Sequence, residues 1–198
     1  MRAAKLAAAA KSLKRAPGVR DAAFCLAFLT DRARVPDPES IARALPPGAA
    51  VILRDYDAPR RADLAKKLKS ICAGGGVLFL VGADAALARA IGADGVHFPS
   101  WQNADIDMPG MIKTAACHSG ADLQKAAEAG ADLAFLSPVF PTASHKGERT
   151  LGVAAFRSLA RSAPLPVLAL GGVDEANALR LAGPNLAGFG AIGAFAPR

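Results

Sequence analysis

The sequence predicts an α/β fold: a small (β/α)8 TIM barrel with an extra N-terminal helix and no eighth helix after the last strand. Three observations carry this. Eight short apolar runs alternate with helical stretches along 198 residues. No G-x-G-x-x-G follows the first run, which disfavours the alternative, an open doubly wound sheet. Gly171-Gly172 comes late, after the seventh run, where a barrel builds phosphate-binding loops. The expected division is residues 1–20, a basic helix and lead-in, and 21–198, a single barrel domain.

The runs that read as buried parallel strands are Ala22–Leu29, Ala49–Leu53, Val77–Val81, Gly95–Phe98, Ile112–Cys117, Leu133–Leu136, Pro166–Leu170 and Ala187–Ile192. Helices are expected between them. Pro38–Ala44 follows Asp37, a cap before a proline. Ala58–Cys72 carries Leu64, Leu68 and Ile71 at helical spacing and stops at Gly74-Gly75-Gly76. Asp84–Ile91 and Asp122–Ala129 each lead into Gly-Ala-Asp, and Ala154–Ser162 and Glu175–Leu181 complete the set. The chain runs only a few residues past the last strand, so the N-terminal helix near residues 2–15, or a partner chain, is expected to cover the gap.

Hydrophobic residues make up 52% of the chain, which excludes intrinsic disorder. No charge-free apolar run approaches the roughly 20 residues of a spanning helix, so no membrane partner is expected. The net charge of +7 is concentrated: Arg2, Lys5, Lys11, Lys14, Arg15 and Arg20 have no acid among them. Taking those six from the 24 cations leaves 18 against 17 acids, so no nucleic-acid channel is expected through the body. The basic segment reads first as an Ala-rich helix with its cations in water, and otherwise as a contact for phosphates or an acidic partner. Cys25, Cys72 and Cys117 are too few and too scattered for a disulfide framework or zinc site, so a cytoplasmic location is expected. A missing eighth helix makes a homo-oligomer a further expectation.

Function in such a barrel sits where the strands end. Gly171-Gly172 after strand seven, and Ile192-Gly193 after strand eight, expose backbone N–H groups. Thr142, Ser144 and Lys146 add hydroxyls and a cation from the loop after strand six. Together they suit a small phosphorylated substrate, although turn glycines in a solvated loop would look the same. Arg54, at the end of strand two, is placed for an anion. His118 ends strand five beside Ser119; it is either a proton carrier or the entry to a helix capped by Ser119. His97 and Cys117 read as packing residues.

The stretches Phe28-Leu29-Thr30-Asp31, Ile52-Leu53-Arg54-Asp55, Ala93-Asp94-Gly95-Val96-His97, Gly130-Ala131-Asp132, Pro138-Val139-Phe140-Pro141-Thr142 and Leu170-Gly171-Gly172-Val173 lie between residues 24 and 195. Together they resemble thiamine phosphate synthase and its relative TenI, the thiazole tautomerase. The resemblance implies a barrel holding a thiazole phosphate on Thr142, Ser144, Gly172, Ile192 and Gly193, with Arg54 toward a diphosphate. The synthase joins the thiazole to a pyrimidine methyl diphosphate with Mg2+; TenI moves a proton on a thiazole carboxylate phosphate without a metal. The synthase pattern has Asn-Asp after strand three, where this chain has Gly82-Ala83. A further Mg2+ aspartate aligns with Gln102, and the Gln and Lys flanking the strand-two arginine become Ile52 and Tyr56. The resemblance therefore implies TenI-like chemistry with His118 as proton carrier and no cofactor. Mg2+ enters only if the chain is a synthase with a rewired site, for which Asp84, Asp55 and Asp31 are the candidates; a non-catalytic phosphate-binding barrel is the third reading.

Overall fold

The structure, a computed structural model, describes residues 2–102, 108–142 and 149–196. Eight parallel strands close into a barrel in sequence order: β1 Leu26–Leu29, β2 Ala50–Leu53, β3 Leu78–Gly82, β4 Gly95–Phe98, β5 Ile112–Cys117, β6 Leu133–Leu136, β7 Val167–Ala169 and β8 Leu186–Ala191. Nearly all their residues are buried, as strands covered on both faces must be. The first strand is shorter than expected. Residues 22–25 stay outside the ladder, although the Cys25 carbonyl still accepts from Phe189 N–H.

The helices among the described residues are α1 Arg2–Lys14, α2 Pro38–Ala44, α3 Arg61–Gly75, α4 Ala85–Ala90, α5 Gly120–Glu128 and α6 Gly152–Ser162. Their ends follow local chemistry. The side chains of Asp37, Asp84 and Ser119 accept from Ser40, Leu87 and Asp122 N–H and so satisfy orphan donors at three helix starts. Gly76, left-handed, closes α3. The expected helix over Glu175–Leu181 is instead one 3-10 turn, Ala178–Leu181. The Asp174 side chain captures Ala176 and Asn177 N–H, and Pro184 follows closely, so only a turn fits between them.

Helix α1 takes the place of an eighth helix. Ala3, Leu6, Ala7, Ala10 and Leu13 form a buried stripe packed on β8, β1 and the 3-10 turn after β7. Each buried leucine contributes roughly 2 kcal/mol. Two of its cations do not simply face water: Arg2 Nη1 donates to the Ala196 carbonyl at 2.9 Å, and Lys14 Nζ to that of Ala22 at 3.1 Å. No helix of the described residues is long and apolar enough to cross a membrane.

His97 belongs to the packed interior, as its sequence position suggests. It is 2% exposed, its Nδ1 lies 2.8 Å from Thr114 Oγ1, and its ring meets Phe135 edge-on at 5.4 Å. Burial, with the charge of Arg54 adding to it, pushes its pKa down from 6.5 to about 3. The unfolded chain therefore binds a proton that the native state refuses between those values. The resulting stability is present above pH 6.5 and is lost on acidification, by up to about 1.4 kcal/mol per pH unit. Denaturant titrations at pH 7, 6 and 5 should show this decline, and His97→Asn should flatten it.

Candidate active site

The C-terminal mouth of the barrel holds a cavity of about 290 Å3. Its walls include Ser137, Pro138 and Thr142 after β6, Gly171–Asp174 after β7, Ile192–Ala194 after β8, and the side chains of Arg2, Arg34 and Arg54. Six of the sequence candidates thus meet in one place: Arg54, Thr142, Gly171, Gly172, Ile192 and Gly193. Ser144 and Lys146 lie outside the described residues. Arg2 and Arg34 were not among the candidates; neither belongs to a motif, and only folding brings them to this wall.

The glycines are required by contact. Gly171 and Gly172 have φ of 91° and 66°. A Cβ on Gly172 would lie 2.7 Å from the Pro141 carbonyl oxygen, and one on Gly171 2.8 Å from Pro138 Cα. The loop after β7 therefore presses directly on the loop after β6. Asn177 Nδ2 takes the Gly172 carbonyl at 2.8 Å, and Asn177 Oδ1 accepts from Asp174 N–H. Among the described residues, the N–H groups of Gly172 and Gly193 meet no protein acceptor. Donors of this kind beside arginines are the ordinary equipment of an anion site.

The cationic wall is organised by Asp31. Arg34 grips its carboxylate through Nε at 2.9 Å and Nη2 at 2.6 Å, and Arg54 Nη2 stands 3.9 Å away. Burial alone would raise the Asp31 pKa, but the hydrogen bonds and charge of Arg34, with Arg54 behind, hold it below the usual carboxylate range. Asp31 thus stays ionised, holds the Arg34 guanidinium through two hydrogen bonds and attracts that of Arg54.

His118 does not line the described cavity. It stands beside it, joined to one of its wall residues: its Nδ1 lies 2.8 Å from the Ser137 carbonyl oxygen, and its backbone N–H donates to Asp122 Oδ2 at 2.9 Å. A carbonyl only accepts, so Nδ1 carries the proton and Nε2 is left as the basic nitrogen. Ser119 caps α5, so the helix-entry role and a free imidazole coexist here. Cys117 is buried, and burial pushes its thiol up to about 12, consistent with packing.

The donors present do not suit a divalent cation at the ends of β2 and β3. A Cβ on Gly82 would meet the Leu53 carbonyl oxygen at 2.8 Å, so no Asn fits there without rearrangement. The Asp84 carboxylate caps α4 through Oδ1, and its Oδ2 faces Arg61 Nη1 at 3.4 Å. Arg61 also donates to the carbonyls of Gly82 at 2.6 Å, Asp55 at 3.0 Å and Leu53 at 3.3 Å. A guanidinium thus takes the carbonyl oxygens that a hard cation would need. Among the described residues no cluster of three His, Cys, Asp or Glu side chains is disposed for a metal.

A closed (β/α)8 barrel with a glycine- and arginine-walled cavity at its C-terminal mouth defines the broad class. Residues 26–195 match the family described as thiamine monophosphate synthase, and the chain belongs to this thiamine monophosphate synthase/TenI family. The thiamine-phosphate synthase of Chlorobium luteolum is 35% identical over 178 residues, covering 85% of this chain and 84% of that protein. That of Pyrococcus furiosus is 30% identical over 177 residues, covering 85% of each. A probable thiamine biosynthetic bifunctional enzyme of rice, described as chloroplastic, is 32% identical over 171 residues; the match spans 31% of its length. Among solved structures, a thiamine phosphate pyrophosphorylase from Pyrococcus furiosus superimposes with a TM-score of 0.68 at 28% identity, over 84% of both chains.

Gly172→Ala should cost at least about 2 kcal/mol of stability, from a strained φ and the collision with the loop after β6. Denaturant unfolding would measure this, and the same variant should lose stabilisation by inorganic phosphate.

Proposed function

We propose that this protein binds a thiazole phosphate at the barrel mouth and isomerises it without a metal, in the manner of TenI. The observation that carries the reading is the contrast between the two sides of the mouth. The cavity, walled by the loops after β6, β7 and β8 and by Arg34 and Arg54 from the ends of β1 and β2, offers arginines, Thr142 and N–H donors without a protein acceptor among the described residues, whereas the carbonyls at the ends of β2 and β3 are engaged by Arg61. In this reading the phosphate sits on the N–H groups of Gly172 and Gly193 with the Thr142 hydroxyl. Arg34 and Arg54 receive a second anionic group, as a thiazole carboxylate would provide. His118 Nε2 takes a proton from one ring atom and returns it to another, so composition and charge are unchanged over the cycle. The Ser137 carbonyl steadies the imidazolium formed midway.

A second reading is synthesis: joining the thiazole phosphate to a pyrimidine methyl diphosphate with loss of pyrophosphate. It is favoured by the relatives of 30–35% identity that are named thiamine-phosphate synthase. It requires a Mg2+ site assembled otherwise than at Gly82 and Asp84.

Thermal unfolding with thiazole phosphate, and separately with pyrophosphate, each with and without Mg2+, separates the two. A ligand at about 100 times its Kd should add about 2.7 kcal/mol. Stabilisation by thiazole phosphate that ignores Mg2+ is expected; stabilisation by pyrophosphate only with Mg2+ would move the protein to the synthase reading.

His118→Ala should lower tautomerase kcat about 100-fold or more while leaving thiazole phosphate stabilisation intact. A full rate in that variant would remove His118 from the mechanism.

A further inference from the structure

Arg2 is the one residue of α1 that lines the cavity. Its partners flank the glycine loops: Ala196, whose carbonyl takes Nη1 at 2.9 Å, follows the turn after β8, and Glu175 follows Asp174 after β7. The contact with Glu175 is loose, since Arg2 Nε and Glu175 Oε1 are 3.8 Å apart, beyond hydrogen-bond reach. Among the described residues, Arg2 Nε is buried with no hydrogen-bond partner, and so is Glu175 Oε2. Arg2 lines the cavity beside Gly172 and Gly193, whose N–H groups meet no protein acceptor among the described residues, and a guanidinium held only loosely by its carboxylate there suits an incoming oxyanion.

We propose that Arg2 is an anion-binding residue of this site, carried in by the N-terminal helix, and that it couples the docking of α1 to the binding of a phosphate ester. This rests on the phosphate reading above and adds to it a residue and a consequence. Two carboxylates stand close by. Asp174 lines the cavity and accepts from Ala176 and Asn177 N–H through Oδ1; the carboxylate that faces the Arg2 guanidinium is that of Glu175, which therefore competes with the ligand for Arg2. The guanidinium fork matches two oxygens of a phosphate, with one arm remaining on the Ala196 carbonyl. Coupling follows from linkage. If docked α1 supplies a ligand contact, bound ligand favours docked α1 by the same factor.

The test uses the whole chain with inorganic phosphate as the probe, reading thermal stabilisation and hydrogen exchange of the α1 amides. Phosphate is expected to stabilise the wild type and slow exchange across residues 2–14. Arg2→Gln should weaken phosphate binding at least tenfold and abolish the slowing, and Arg2→Lys should recover part of the affinity. Glu175→Gln, which removes the competitor and leaves Arg2 in place, should tighten binding several-fold. If Arg2→Gln binds phosphate as tightly as wild type, or Glu175→Gln leaves affinity unchanged, the role of Arg2 is overturned and the phosphate reading stands. If phosphate does not stabilise the wild type, both fall.

Discussion

The rest of the structure depends on the seam where β8 returns to β1. Strands can enclose a mouth only if the last pairs with the first, and here that contact requires a glycine. A Cβ on Gly188 would lie 1.9 Å from the Cys25 carbonyl oxygen, so no other residue fits without moving the backbone. Phe189 N–H reaches that same carbonyl, and the ladder continues through Phe28 and Ala191. Closure places the loops after β6, β7 and β8 side by side, and the cavity is the space between them and the β1–β2 ends. It also leaves an outer surface over the seam that an apolar helix must cover, and α1 covers it.

The polar groups of the mouth divide into two kinds. Those of the β2–β3 side are mostly engaged with one another, although Asp55 Oδ2 and Gln102 Oε1 are buried without a hydrogen-bond partner among the described residues. Arg61 joins three carbonyls and Asp84, Tyr56 lies 6.0 Å from its guanidinium, and Gln102 donates to the Ala83 carbonyl. Those lining the cavity are held in position but not used up. Asn177 and Asp174 fix the glycine loop from behind, and Asp31 anchors Arg34 and attracts Arg54. Groups that are oriented without being saturated can serve a ligand with little reorganisation, which is what preorganisation means energetically. This asymmetry, rather than barrel architecture shared with many unrelated activities, carries the functional reading.

The surroundings of the two strand-end histidines separate their roles. His97 is buried, with its Nδ1 on Thr114 and its ring against Phe135, so it stays neutral and serves packing. His118, exposed at the strand end, has one nitrogen tethered to the Ser137 carbonyl and the other without a partner among the described residues. The sequence marks both as polar residues at strand ends. It does not say which is enclosed, because enclosure depends on the neighbouring strands and the rotation of each residue about the barrel wall.

The alternation of apolar runs and capped helices determined the barrel by itself, because burial on both faces and helix-end chemistry are local in sequence. Asp37, Asp84, Ser119 and Gly76 act where such residues act in any chain. Gly171-Gly172, Thr142 and Arg54 were legible as site candidates for the same reason: each sits at a strand end. The seventh helix was not, because Asp174 draws the backbone N–H groups into a turn that periodicity does not register. Arg2 and Arg34 reach the cavity only because closure brings α1 and the β1 loop to its edge, and the Arg61 ties depend on carbonyls from two different strands. Contacts between groups so far apart along the chain leave no spacing to read, so tertiary structure alone decided them.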